Sequence, residues 1–179
     1  SDLNSRRGKV EHIEADKNES YYVDKITGLV FNQSYFNDEK QIKLYSKKVF
    51  KKKFTKNSYS SNVPAVAARH KYVYDFIKKN IKLKNKKIID IGAGDGSFLE
   101  LFKNKKLLLG VEPKKENCNL ISKKKIKSIN SPIFKVKLNN KFDIATLIWT
   151  ACNFNNPYES IKKISSLLKK NGYLVVAES

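Results

Sequence analysis

The stretch KKIIDIGAGDGSFLELF, residues 86–102, decides the fold. Ile88, Ile89, Asp90 and Ile91 form a short, mostly apolar run that suits a strand buried on both faces. Gly92, Gly94 and Gly96 follow at once, spaced G-x-G-x-G. A turn with so few Cβ atoms reaches positive φ without penalty and lets a ligand approach the main chain. Ser97 and Glu100 then fit the S-x-x-E capping box. They predict a helix with Phe98, Leu99, Leu101 and Phe102 on its apolar side. The free N–H groups at its start would favour an anionic group.

Toward the C-terminus the alternation continues. LLLGVE (107–112) reads as a second strand, and the lysine-rich segment Lys115 to Lys123 as a helix. KIKSI (125–129) is a weak third strand and KFDIATLIW (141–149) a fourth. In NPYESIKKISSLLKKNG, Asn156 can cap, Pro157 suits the first helical position and Glu159 completes a box. Ile161, Ile164, Leu167 and Leu168 supply its stripe, Gly172 its stop, and YLVVAE (173–178) a fifth strand. Upstream, Pro64 opens a helix whose stripe is Val66, Val73, Phe76, Ile77 and Ile81. Strands alternating with helices predict an α/β fold: a Rossmann-like parallel sheet with helices on both faces. The apolar edge of the fifth strand predicts a C-terminal truncation or a partner that covers it.

The front differs. Residues 1 to about 20 read as a mobile lead-in, Tyr21 to Phe36 as a β-hairpin turning at Thr27-Gly28, and residues 37–54 as a helix. The expected organisation is a hairpin-and-helix extension over 1–60 and the Rossmann-like domain over 61–179.

The glycine turn implies a ligand. In an open parallel sheet, ligands sit outside the carboxyl ends of the strands, where strand order reverses. Asp90 can accept from an ammonium there. Glu112, twenty positions after Gly92 and ending the second strand, can take both hydroxyls of a ribose. The dinucleotide pattern G-x-G-x-x-G fails at Ser97, whereas D-x-G-x-G-x-G is complete from Asp90 to Gly96.

From about Pro64 to Ser179 the sequence resembles class I S-adenosylmethionine-dependent methyltransferases. The resemblance rests on IIDIGAGDGSFLELF, GVEP and FDIATLIWTACNFNNPYESIKKISSLLKKNGYLVVAE. It implies S-adenosylmethionine as cofactor. The turn Asp90, Gly92, Ala93, Gly94, Gly96 would hold the methionine part and Glu112 the ribose. Asn130 or Ser131 would flank the adenine. Trp149, at the end of the fourth strand, reads equally as a pocket-lining residue and as a core aromatic. LLKKNGYLVVAE is similar to the family's L-x-P-G-G turn, with Asn171 at the first glycine. The segment GLVFNQSYFNDEKQIKLYSKKVF with YSSN resembles the front of bacterial methyltransferases of sugar and polysaccharide pathways. Some of these carry a zinc-binding cysteine cluster; Tyr22 to Thr27 stand where a cysteine pair would sit, so no metal is implied. Relatives often have a histidine base in an E-H-x-x-D-P-like turn. Here the turn is NFNNP, and Asn153 or Asn155 cannot serve, which argues against carbon methylation by that route. Tyr59 and His70 are the remaining candidate bases.

Composition frames these readings. Thirty-seven Lys and Arg against 17 Asp and Glu give a net charge of +20. The excess is almost all Lys, spread along the chain, and Asn and Ile are abundant too. That matches an AT-rich genome better than a nucleic-acid reader, which usually uses Arg forks. Cys118 and Cys152 lie far apart and read as reduced thiols. No run approaches the roughly 18 apolar residues of a membrane span, and no leader opens the chain, so a cytoplasmic location is expected. The leading expectation is methyl transfer to a small polar acceptor, a sugar or nucleotide-sugar. The alternatives are an RNA or DNA methyltransferase and a non-catalytic cofactor-binding protein.

Overall fold

The computed structural model describes residues 10–15, 19–24, 30–32, 63–154 and 156–178. The chain divides into two compact units, Ser1–Asp38 and Glu39–Ser179.

In the first unit, β1 (Val10–Ala15), β2 (Glu19–Asp24) and β3 (Val30–Asn32) form an antiparallel sheet in that order. The expected hairpin is β2–β3, with Tyr22 opposite Phe31 and Val23 opposite Val30. The lead-in reading is corrected over Val10–Ala15, which pairs along all of β2. Its Glu and His residues hid a strand held by main-chain ladder bonds, which composition does not report. The helix expected over 37–54, the Thr27-Gly28 turn and Tyr59 lie outside the described residues.

The second unit runs α1 (Pro64–Asn80), β4 (Ile88–Ile91), β5 (Leu108–Val111), α2 (Lys115–Lys123), β6 (Lys127–Ile129), β7 (Phe142–Ile148), α3 (Pro157–Ser166) and β8 (Leu168–Ala177). The sheet order is β6-β5-β4-β7-β8, parallel throughout. Strand side chains alternate between two cores, so helices cover both faces, as expected. Ile88, Ile144 and Ile148 pack with Val73 and Ile77 of α1 and Ile121 of α2. Ile89, Ile91, Ala145 and Leu147 pack with Ile164 and Leu167 at α3. Ile77 and Ile164 are both 0 % exposed; truncating such a side chain to Ala costs about 2–5 kcal/mol.

Three local expectations fail. Phe76 is 54 % exposed, so it leaves the α1 stripe, whose buried residues are Val73 and Ile77. The helix predicted from Ser97 is a single 3-10 turn, Leu99–Leu101, closed by Leu101 N–H to the Phe98 carbonyl and Phe102 N–H to the Leu99 carbonyl. The link from Gly96 to Leu108 is about as short as a parallel crossover can be. The longer rise per residue of two 3-10 turns spans it, Phe98, Leu99 and Phe102 still going to the core.

The third concerns α3, which starts as expected at Pro157 with the Asn156 side chain accepting from the Glu159 N–H. It ends at Ser166 rather than at Gly172. Leu168 already opposes Phe142, and the ladder resumes with Tyr173 opposite Ile144, leaving residues 169–172 bulged out. Asn171 takes a φ of +63° there, and a Cβ on Gly172 would meet the Lys169 carbonyl oxygen at 3.0 Å. The left-handed residue that stops a helix here shapes a bulge.

Candidate functional site

Strand order reverses between β4 and its neighbours β5 and β7, which places a crevice at the carboxyl ends of these strands. The glycine turn sits there, pinned to β5 by the Gly92 and Ala93 N–H groups, which both donate to the Val111 carbonyl (2.8 and 3.1 Å). All three glycines have positive φ: +73°, +53° and +78°. Their surroundings differ. A Cβ on Gly92 would overlap the Thr150 side chain, and one on Gly96 would lie 2.9 Å from Ile121 Cγ1. At Gly94, nothing among the described residues lies within 4 Å of that position. Gly92 and Gly96 therefore let the protein pack against itself, and Gly94 alone presents bare main chain to open space. Ala93 is buried against Gly110 and serves the turn through its main chain.

The N–H groups of Gly92, Ala93, Gly94, Gly96 and Ser97 are taken. Gly94 N–H donates to Glu112 Oε2 (3.0 Å), Gly96 N–H to the Ala93 carbonyl and Ser97 N–H to Asp95 Oδ1. With no α-helix following, the expectation of an anion cradle is corrected: the turn is built to present acceptors. Among the described residues, the buried charged side chains are Asp90, Asp95 and Glu112, at 3 %, 5 % and 7 % exposure. In a chain of net charge +20, the charges taken out of water are three carboxylates around one turn. Burying a carboxylate is costly unless something offsets it.

Glu112 partly offsets it through the main chain. Its Oε2 takes the Gly94 N–H and its Oε1 the Lys114 N–H (2.9 Å). Burial raises its pKa, opposed by those two bonds, the Asn117 side chain and the Lys114 charge. Asn130, after β6, donates through Nδ2 to the carbonyls of Glu112 (3.2 Å) and Pro113 (2.8 Å). Ser131 lies beside it and bonds its own loop at the Pro132 carbonyl. Asp90, on the α1 face of β4, lies opposite Thr146 of β7 and accepts its hydroxyl at 2.6 Å. Burial pushes its carboxyl up to about 7, with Thr146 opposing and the Glu112 charge adding.

The other wall comes from α1 and the loop after β7. His70 Nδ1 lies 3.2 Å from Ser97 Oγ. Its ring stacks on Trp149, centroids 5.9 Å apart, and meets Phe98 edge-on. Burial lowers the His70 pKa against the pull of Asp95, which favours the neutral imidazole. The Arg69 guanidinium lies 5.4 Å from the Trp149 ring centroid. Trp149 has a φ of +48°, and its buried Nε1 has no hydrogen-bond partner among the described residues.

Thus the structure gathers Asp90, the glycine turn, Glu112 and Asn130 at one crevice, with Ser131 beside Asn130. His70 and Trp149 form a second wall joined to the turn through Ser97. Sequence reasoning missed Asp95, Thr146, Thr150 and Glu178. Asp95 was visible inside the turn, where an Asx bond to a residue two positions on is common; the others come from β7, the loop after it and the end of β8, which only the fold brings close. Among the described residues no cluster of His, Cys, Asp or Glu could hold a metal ion, and no helix is long and apolar enough to cross a membrane.

A family model described as a methyltransferase domain matches residues 65–179. Among solved structures, a Thermotoga maritima protein described as a SAM-dependent methyltransferase, possible histamine N-methyltransferase, is 26% identical, with a TM-score of 0.52. That match covers 62% of this chain and 53% of the other. The plantazolicin methyltransferase BpumL in complex with SAH is 20% identical, with a TM-score of 0.58 over 76% of this chain and 56% of the other. The sugar N-methyltransferase KedS8 of a Streptoalloteichus species is 17% identical, with a TM-score of 0.54 over 63% and 48%. The fold is that of class I methyltransferases, and the chain spans about half the length of these structures. No curated protein matches it.

Proposed function

This chain belongs to the methyltransferase-domain family, and we propose that it transfers the methyl group of S-adenosylmethionine to a small polar acceptor, a sugar or nucleotide-sugar. The observation that carries the cofactor reading is the set of three buried carboxylates beside the open main chain of Gly94. Buried acceptors match a ligand rich in donors and positive charge: an ammonium, a sulfonium and two ribose hydroxyls. The acceptor reading rests on the resemblance of the front segment to sugar-pathway methyltransferases.

Each residue then has a task. Glu112 is fixed by two main-chain N–H groups and the Asn117 side chain, and its remaining acceptor capacity goes to the ribose hydroxyls. Asp90 faces the ammonium end as counter-charge, and ionises fully when a cation arrives. Asn130 and Ser131 border the adenine. The indole N–H of Trp149, without a partner among the described residues, is the donor for a carboxylate, and its ring closes the crevice toward His70. When bound, the cofactor supplies a methyl already activated by the sulfonium, so the protein mainly positions the reactants and excludes water. Neutral His70 is the group placed to take a proton from an oxygen or nitrogen nucleophile.

Calorimetry with S-adenosylmethionine and S-adenosylhomocysteine tests the cofactor. One-to-one binding of both is expected; no binding of either contradicts the reading. Methyl-labelled cofactor offered with amino sugars, nucleotide-sugars and RNA tests the acceptor, and label on RNA alone would replace the sugar.

A further inference from the structure

Glu178 follows β8, and its carboxylate reaches back to the loop after β7. Its Oε1 accepts the N–H groups of both Thr150 (2.8 Å) and Ala151 (2.7 Å). One residue earlier, the Trp149 N–H donates to the Ala177 carbonyl at 2.8 Å. Three successive N–H groups of the loop are thus held by the end of one strand. The Cys152 thiol also interacts with Glu178, whose charge joins burial in pushing that thiol up.

What this clasp holds is the wall of the site. The Trp149 φ of +48° is a conformation that strains a bulky residue and persists only where its surroundings impose it. In that conformation the indole stacks on His70. The next residue, Thr150, fills the space that a side chain on Gly92 would need. Release of Thr150 and Ala151 would free two main-chain donors. It would let Trp149 relax out of the left-handed region and uncover the turn at Gly92.

We propose that Glu178 is a positioning residue of the methyl-transfer site: it clasps the loop after β7 so that Trp149 and Thr150 form a fixed wall against the glycine turn. It touches neither cofactor nor acceptor. The consequence for ligand affinity rests on the S-adenosylmethionine reading given above.

Trp149 is the only tryptophan in the chain, so its emission reports the wall directly. Glu178→Ala should shift the ligand-free emission to the red and weaken S-adenosylhomocysteine binding about tenfold. Glu178→Gln keeps a side-chain oxygen that accepts both N–H groups, and should recover the parent's emission and most of its affinity. Glu178→Ala matching the parent in both readouts, or Glu178→Gln failing as badly as Ala, would overturn the proposal. If Glu178→Ala does not fold, Glu178→Asp, one methylene short of the loop, takes its place against Gln. If the parent itself binds no S-adenosylhomocysteine, the cofactor reading falls. The ligand-free emission then decides Glu178 alone: a red shift reversed by Gln upholds the clasp, and no shift refutes it.

Discussion

The two sides of the glycine turn are built differently. On the β5–β6 side, Glu112 and Asn130 follow the turn within 38 residues, and main-chain N–H groups of the turn and of Lys114 fix the carboxylate. On the β7–β8 side, Thr150, Trp149, Glu178 and His70 come from loops and a helix as far apart as His70 and Glu178. The first side is a local device, whose spacing follows from one strand, a tight crossover and the next strand. The second exists only once β7 and β8 are laid beside β4. In the proposed reading, the residues for the ligand's polar ends thus lie in nearby sequence, while the wall beside its reactive end is a product of topology.

The sharpest way to break this contrast is to add one methyl group on each side. Gly92→Ala combines a left-handed φ with overlap onto Thr150, and is expected to cost about 2–5 kcal/mol in chemical denaturation. Gly94→Ala carries the same kind of φ with open space around it, and should cost only about 1 kcal/mol while lowering affinity for S-adenosylhomocysteine. Equal stability losses would erase the distinction between a packing glycine and a ligand-facing one.

Next in size is a pH effect centred on the turn itself. Asp90 has its carboxyl raised by burial from 3.8 to about 7, so the folded protein holds a proton that the unfolded chain releases. Its contribution to stability is complete below about pH 4 and falls as pH climbs to about 7, levelling off beyond. The loss is roughly 2–4 kcal/mol. Denaturation at pH 4.5 and 7.5 should show this fall in the parent and a flatter response in Asp90→Asn. An unchanged slope in the variant would place the titration elsewhere.

The smallest effect sharpens the link between the two sides. Ser97→Ala removes the bond between the turn and His70 and should cost about 0.5–1.5 kcal/mol. The loosened imidazole should also show a changed titration by NMR. A His70 titration identical to the parent's would mean that the second wall stands without the turn.

The same contrast explains how much was legible in the sequence. β4, β5, α2, β6 and β7 fell where apolar runs and lysine-rich spacers put them, because a buried parallel strand is written in consecutive residues. Asp90, Gly94 and Glu112 were readable for the same reason. The boundary of α3 was not, because Gly172 stops a helix and shapes a bulge equally well. The helix after Ser97 was not, because the sequence shows a capping box but not how short the crossover must be. β1 was not, because ladder pairing needs no apolar pattern. Glu178 looked like any acid at a strand end, and only its position opposite Thr150 and Ala151 gives it a task.

One titration bears most directly on the idea that this turn and its neighbouring carboxylate grip a methyl-donor nucleoside. S-adenosylhomocysteine binding is measured by calorimetry for the parent and for Glu112→Ala, with thermal melting to confirm that both are folded. Loss of two hydroxyl bonds to a buried carboxylate should weaken binding about 10- to 100-fold, about 1–3 kcal/mol. Equal affinity in a folded Glu112→Ala would show that Glu112 does not hold the ribose and that the acceptor-lined turn serves another ligand.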